Sequence, residues 1–449
     1  MTEHGANGKG GPVLDVLDPR FLRRQVEQIQ DTDEPPLSDD DHAAVLEELD
    51  AAEQRIPPLV GPHADPAAGA VMPAAPRPDR AFFARHPALS IVQSTIEDCI
   101  ASRFSELTEP PPPAIAENPH LPNAQLVSED DLYRQFGPCD IGWIRSELAA
   151  GLRLLRGRAT FPDTPAGPAV LGNEARMVMV GDWGSGLPSA HAVGRQMGEQ
   201  LAAASGLDRH VVHLGDLYYS GWREEYTERF LPHWPHRLGD RTIKSWALNG
   251  NHDMYSGGHG YFGYLLRDER FAEQEGSSHF LLENDHWQIL GLDTAYKDRD
   301  LAGTQADWVR ERLAANGKRT ILLSHHQPFS AYSEHRYPLW EALSEAFAVR
   351  RIDAWFWGHE HRCVVYEEHE HIKYPRLIGH GGVPVLADDD EAPPEGVRYE
   401  YREASEDDAG PVRWRLFGFV VLDFDGADVV VRYLNEDGGE HYPAETLVP

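Results

Sequence analysis

Five short polar stretches in this chain each close an apolar run and carry side chains able to hold a metal ion. They are Gly181-Asp182-Trp183-Gly184, Gly215-Asp216-Leu217-Tyr218-Tyr219, Gly250-Asn251-His252-Asp253, Ser324-His325-His326 and Gly358-His359-Glu360-His361. Asp182, Asp216, Asn251, His325 and His359 all fall where a strand is expected to end, and in a covered sheet ligands gather at the carboxyl ends of strands. Carboxylate, amide oxygen, imidazole and phenol together suit a borderline or hard transition ion such as iron, manganese or zinc. No cysteine stands among them, which argues against a structural zinc knot. Seven or more candidate ligands are too many for one catalytic ion that keeps an open position. They suit two ions sharing a carboxylate, roughly 3.5–4 Å apart.

The elements that must position these groups are legible from about Glu174 onward. Met177 to Val180, His210 to Leu214, Ile243 to Leu248, Ile289 to Leu292, Ile321 to Leu323 and Ala354 to Trp357 are compact apolar runs. Helices are expected at His191 to Ala204, Gln305 to Ala315 and Leu339 to Ala348. Apolar strands without polar alternation predict sheets covered on both faces. Phe417 to Phe424 and Val429 to Tyr433, joined by Asp425-Gly426-Ala427-Asp428, read as a hairpin.

The first third of the chain differs. Residues 1–12 are Gly-rich, Asp31 to Asp41 is acidic, and Pro57 to Pro78 is dominated by Pro and Ala. Such segments bury too little apolar surface to offset their ordering entropy and read as linkers. Helical spacing recurs at Phe21 to Ile29, after Ser38, at Leu89 to Phe104 and at Ile141 to Leu155. No chemical motif is found there; the region offers packing helices, or a contact with a protein partner or another part of the chain.

Composition narrows the partners. In 449 residues the formal net charge is -32, which disfavours nucleic acid or an anionic membrane surface as the main partner. No apolar run approaches the roughly 18 residues of a membrane span. Three cysteines without paired spacing, and an amino terminus lacking a basic-then-apolar pattern, predict a reducing, cytoplasmic setting.

The five stretches, in this order, resemble the signature blocks of calcineurin-like metallophosphoesterases. The resemblance runs from about Arg176 to Gly381-Gly382. It implies an α/β fold, a four-layer α/β/β/α metallophosphoesterase sandwich of two mixed sheets flanked by helices. That domain would span 170–449, preceded by a largely disordered or weakly helical extension at 1–80 and a helical accessory region at 81–165. Most members carry a histidine where this chain has Gly184. Tyr219 follows Asp216 at the spacing of the purple acid phosphatase branch, which the chain resembles most.

That branch implies Asp182, Tyr219 and His361 on a first metal, Asn251, His325 and His359 on a second, and Asp216 between them. The first ion would be ferric iron and the second iron, zinc or manganese. A reducing compartment would instead favour manganese, zinc or ferrous iron. The implied chemistry is hydrolysis of a small phosphate ester by metal-bound hydroxide, with His252 protonating the leaving alkoxide or orienting the phosphate. A phosphomonoesterase is the first expectation. A phosphodiesterase acting on cyclic nucleotides or phospholipid-derived diesters is the second, and a non-catalytic scaffold the third.

Several neighbours carry alternative readings. Tyr218 adjoins Tyr219 and could take its place. His326 either contacts substrate or packs, while His213 and His380 read as structural. Trp183, Trp355 and Trp357 read as core or pocket wall, Asp293-Thr294 as a turn, and Asp253 as a partner for His252. Arg223, Arg267 and Arg336 read as solvated surface. Specificity would come from 221–241, 255–277 and 387–412, which carry no readable code.

Overall fold

The computed structural model describes residues 157–448 apart from 333–337, 386, 388–391 and 405–413, together with Ala43 and Leu46. Ala43 and Leu46, within the helix expected after Ser38, are helical. The other N-terminal helices and linkers and Arg336 lie outside the described residues, as do 388–391 and 405–412 within the stretch 387–412.

Two sheets carry the fold. An eight-stranded sheet runs β1 (Ala166–Val170), β5 (Phe280–Glu283), β6 (Trp287–Leu292), β7 (Arg319–Ser324), β8 (Ile352–Trp357), β10 (Ile372–Ile378), β9 (Cys363–Tyr366) and β11 (Val397–Glu400). A six-stranded sheet runs β14 (Glu440–Thr446), β13 (Asp428–Asn435), β12 (Gly418–Asp425), β2 (Glu174–Val180), β3 (Asp208–His213) and β4 (Ile243–Ala247). Both are mixed. β2, β3 and β4 are parallel, as are β6, β7, β8 and β10, and antiparallel strands complete each sheet.

Side-chain alternation sorts the strands' residues into layers. Met177, Met179, Val212, Leu214 and Trp246 meet Phe280, Leu282, Ile289, Ile321, Leu323 and Phe356 in the core between the sheets. Leu322, Trp355 and Trp357 face the other way and pack with Val309, Leu313, Leu339 and Phe347. α1 (Pro188–Ala203) lies against β2 and β12. α2 (Gln305–Ala315), α3 (Pro338–Ala342) and α4 (Ser344–Val349) cover the eight-stranded sheet. Each large apolar side chain so buried is worth about 1.5–3 kcal/mol. The four expected layers are present.

The single helix expected from Leu339 to Ala348 is instead two, broken around Leu343. Leu339 and Leu343 are both fully buried, so one apolar face continues through the break. The hairpin turns at Gly426 and Ala427 with Asp425 opposite Asp428, and Gly426 supplies the positive φ of 61°. The stretch 255–277 is not a plain loop. It holds short helical turns at His259–Gly263, Leu265–Arg267 and Glu269–Gln274. Gln274 from this stretch clamps the end of β4, its Oε1 accepting from Ala247 N at 2.9 Å and its Nε2 donating to Ala247 O at 2.6 Å. That clamp fixes β4 just ahead of Asn251.

Candidate metal centre

Each polar stretch leaves its sheet at the carboxyl end of a parallel strand. β2 leads to Asp182, β3 to Asp216, β4 to Asn251, β7 to His325 and β8 to His359 and His361. Asp182, Asp216, His359 and His361 hold positive φ angles of 56°, 72°, 75° and 41°. Left-handed backbone is uncommon for residues with a Cβ and costs on the order of 1 kcal/mol or more, so it persists where surroundings over-determine it. Here the hydrogen bonds do so. His359 N donates to Asp182 Oδ2 at 2.8 Å, His252 N to Asp216 Oδ1 at 2.9 Å, and Asp182 N to the Gly215 carbonyl at 3.0 Å. Gly250 must be glycine, because a Cβ there would strike the Asp216 carboxylate.

The six-stranded sheet supplies oxygen donors. Asp182 and Asp216 are fully buried. The Tyr218 hydroxyl lies 3.0 Å from Asp182 Oδ1, 3.3 Å from Asp216 Oδ2 and 2.8 Å from His361 Nε2. Burial, reinforced by the two carboxylates, holds the phenol well above its usual pKa. Its single proton serves several acceptors at once, a place where a cation would serve better.

The eight-stranded sheet supplies imidazoles. His325 donates Nδ1–H to the Leu214 carbonyl at 3.0 Å, which turns Nε2 towards Asn251 Oδ1 at 3.1 Å and Asp216 Oδ2 at 3.3 Å. Burial would lower its pKa, but Asp216 overrides that and raises it to about 9. For Asp216, burial works against the charge, while His325 and His252 hold the carboxyl well below its usual value. His359 stands with its ring 5.1 Å from that of His325, and burial followed by the His325 charge keeps it neutral. Ligand atoms of Asp182, Asp216 and His361 lie within 4.8 Å of one another, and those of His325, His326 and His359 do likewise. Two clusters of carboxylate, phenol and imidazole, linked by Asp216, fit a pair of borderline transition ions.

Six of the seven expected ligands are thus brought together: Asp182, Asp216, Asn251, His325, His359 and His361. Tyr219 is not. Glu225 accepts its backbone N–H at 2.5 Å, and its ring lies under the Arg229 guanidinium, 5.3 Å from centroid. Tyr218 takes the inward position. Gly184 packs on Leu217, whose terminal Cδ1 a Cβ at this position would have to displace.

His252 is not paired with Asp253, the partner the sequence offers for it. Its Nδ1–H donates to the Tyr219 carbonyl at 2.6 Å, not to Asp253, and its Nε2 stands 3.9 Å from Asp216 Oδ2. Asp253 instead accepts from Gly250 N at 2.7 Å and Asp216 N at 2.9 Å, and takes the Tyr226 hydroxyl. It is a brace for the loops. Asp293 forms the expected turn, its Oδ1 accepting from Ala295 N and Tyr296 N at 3.0 and 2.8 Å. Its neighbour Thr294 holds His326 Nδ1 at 3.1 Å, and His326 Nε2 is buried with no hydrogen-bond partner among the described residues. His213 packs edge-on against Phe230 and Trp234.

Arg299 escaped the sequence reading. Its guanidinium reaches His359 Nε2 at 3.4 Å and is half-buried beside the imidazoles. The sequence gives no signal for it beyond a charged run at 297–300. The Arg223 guanidinium lies over the Tyr264 ring, 4.7 Å from its centroid.

Comparison with known proteins adds four findings. The profile of the family described as calcineurin-like phosphoesterase matches residues 175–363. Human tartrate-resistant acid phosphatase type 5 is 26% identical over 297 residues, covering 59% of this chain and 88% of that protein. A probable cyclic nucleotide phosphodiesterase of Psychrobacter arcticus is 28% identical over 159 residues, covering 33% of this chain and 53% of that protein. Among solved structures, "GAP50 the anchor in the inner membrane complex of Plasmodium" aligns with a TM-score of 0.42 at 12% identity, over 61% of this chain and 88% of that one. Among the described residues, no helix is long and apolar enough to cross a membrane.

Proposed function

From a chain that carries a calcineurin-like phosphoesterase domain, we propose a dinuclear-metal phosphoesterase acting chiefly on phosphate monoesters. The observation that carries this reading is the position of Asp216. Its carboxylate is 3.3 Å from the Tyr218 hydroxyl on the side of Asp182 and His361, and 3.3 Å from His325 on the side of Asn251 and His359. Asp182, Tyr218 and His361 would hold one cation, Asn251, His325 and His359 the other, and Asp216 both. When bound, such a pair acidifies a water and neutralises charge on the phosphoryl oxygens.

The chain's own residues complete the arrangement. His252 has Nδ1–H committed to the Tyr219 carbonyl, so Nε2 is the atom left to face the leaving-group oxygen, and it donates there from the doubly protonated ring, a form that burial opposes and the Asp216 carboxylate favours. Arg299 meets phosphoryl charge from the imidazole side. The bond between phosphorus and the ester oxygen breaks as the water oxygen adds; the water gives up one proton to solvent, and the alkoxide leaves with the His252 proton.

Support for a monoester comes from the acid phosphatase relative, matched along 88% of its length. A diester reading draws support from the phosphodiesterase relative, over a shorter stretch. The test is hydrolysis of a chromogenic monoester and a chromogenic diester by full-length protein with its metals counted. Faster turnover of the monoester is expected, and His252→Ala should retain both metals while losing about 10²- to 10⁴-fold in turnover. A preference for the diester overturns the monoester reading. Two bound metals with neither ester cleaved would leave a scaffold.

A further inference from the structure

A second cluster of metal-ligating side chains lies outside the site above. Cys363 opens β9, His380 follows β10, and His441 belongs to β14, so the first two come from the eight-stranded sheet and the third from the six-stranded one. The Cys363 sulfur and a ring nitrogen from each histidine all lie within 4.8 Å of one another. We propose that Cys363, His380 and His441 form a third metal site, taking a borderline thiolate-binding ion, zinc foremost, that ties the two sheets together.

Each side chain is prepared for the role. Cys363 is a free, fully buried thiol. His380 is 5% exposed, and neither of its ring nitrogens has a hydrogen-bond partner among the described residues. Buried imidazole nitrogens are normally satisfied, so two orphans on one ring ask for an explanation. The ring packs on Gly418, where a Cβ would come within 2.6 Å of its Nε2. His441 shows the arrangement that orients metal-bound imidazoles, in which one ring nitrogen is fixed by an outer partner and the other left bare. The Tyr399 hydroxyl donates to the His441 carbonyl at 2.8 Å and accepts Nδ1–H at 3.2 Å. His441 Nε2 is consequently a lone pair, and it is buried without a partner among the described residues. Tyr401 stacks on the same ring at 3.8 Å and blocks its rotation.

One thiolate and two imidazoles form a donor set for zinc or cuprous copper, softer than the oxygen-rich set at Asp182 and Asp216. Tetrahedral zinc places sulfur and nitrogen ligands about 3.5 Å apart, so short side-chain movements suffice. Binding forms a sulfur–metal bond as the thiol proton leaves to solvent, and both imidazoles bind neutral. The ion would pin the β9 and β10 ends, which flank His361 and Gly379, to the edge of the opposite sheet.

Cobalt(II) loading of the full-length protein separates this site from the dinuclear one, because only a sulfur ligand gives a thiolate-to-cobalt charge-transfer band in the near ultraviolet. We expect that band in the wild-type protein, a third equivalent of zinc by elemental analysis, and loss of both in Cys363→Ser with two equivalents remaining. Should Cys363→Ser not fold, His441→Ala, at a partly exposed position, should lose both the third equivalent and the band. A folded Cys363→Ser protein that keeps the band, or a wild type that binds cobalt without one, overturns the proposal. Either result leaves the dinuclear reading untouched, since that set contains no sulfur.

Discussion

The two sheets divide the candidate centre by element. Loops of the six-stranded sheet bring oxygen: Asp182, Asp216, Tyr218 and Asn251 all follow β2, β3 or β4. Loops of the eight-stranded sheet bring nitrogen: His325 follows β7, and His359 and His361 follow β8. Neither sheet alone offers a balanced set for a borderline ion. The contacts cross the seam instead, as with His361 to Asp182 Oδ1 at 3.5 Å and His325 to Asp216 Oδ2 at 3.3 Å. The large core between the sheets is therefore also what holds the ligands in register.

The strongest test removes the oxygen that both halves share. Asp216→Asn keeps an acceptor for His252 N and much of the volume, but deletes the charge facing His325 and His252. It should reduce turnover on the order of a thousandfold and lower the metal held by the dinuclear centre below two equivalents, read by elemental analysis against the wild type. A variant that keeps two metals and near-normal turnover would show that the halves do not meet at Asp216.

A smaller effect tells the adjacent tyrosines apart. With Tyr218 inward and Tyr219 under Arg229, Tyr218→Phe should weaken metal retention by roughly 100-fold, at or beyond the upper end for losing even an outer supporting partner. It should also abolish any visible tyrosinate-to-iron band in iron-loaded protein. Tyr219→Phe should leave both within about twofold, a change worth under 0.5 kcal/mol. The opposite pattern would return the ligand role to Tyr219.

That pair also shows where sequence reasoning stops. Asp182, Asp216, Asn251 and His325 were legible because each follows a local apolar run, and strand ends converge in such sheets. Choosing between Tyr218 and Tyr219 depends on which ring the loop turns inward, and Glu225 and Arg229 decide that from elsewhere in the chain. Arg299 and the Thr294–His326 bond depend on contacts between loops that no periodicity encodes. β14, with Glu440, His441, Tyr442 and Pro443, has no apolar run, because an edge strand need not be covered on both faces. His441 was invisible for that reason, and His380 consequently read as an isolated core histidine.

The mildest prediction sharpens the contrast between imidazoles at the seam and imidazoles away from it. His325, beside Asp216, is raised to about 9, whereas His279, stacked on Phe161 with its rings 5.5 Å apart, is pushed down to about 4 by burial. His279 is therefore neutral in the folded protein and readily protonated in the unfolded chain near pH 6.5. A depressed folded pKa contributes stability that is complete above about pH 6.5 and is lost as pH falls towards 4. At pH 5 the loss from this one residue is on the order of 2 kcal/mol. Thermal melts from pH 7.5 to 5 should show the wild type weakening, while His279→Phe, which suits the apolar stack, weakens less over the same range. Parallel pH profiles for the two proteins would mean that His279 is protonated as easily in the fold as out of it, and that burial away from the carboxylates does not set its charge.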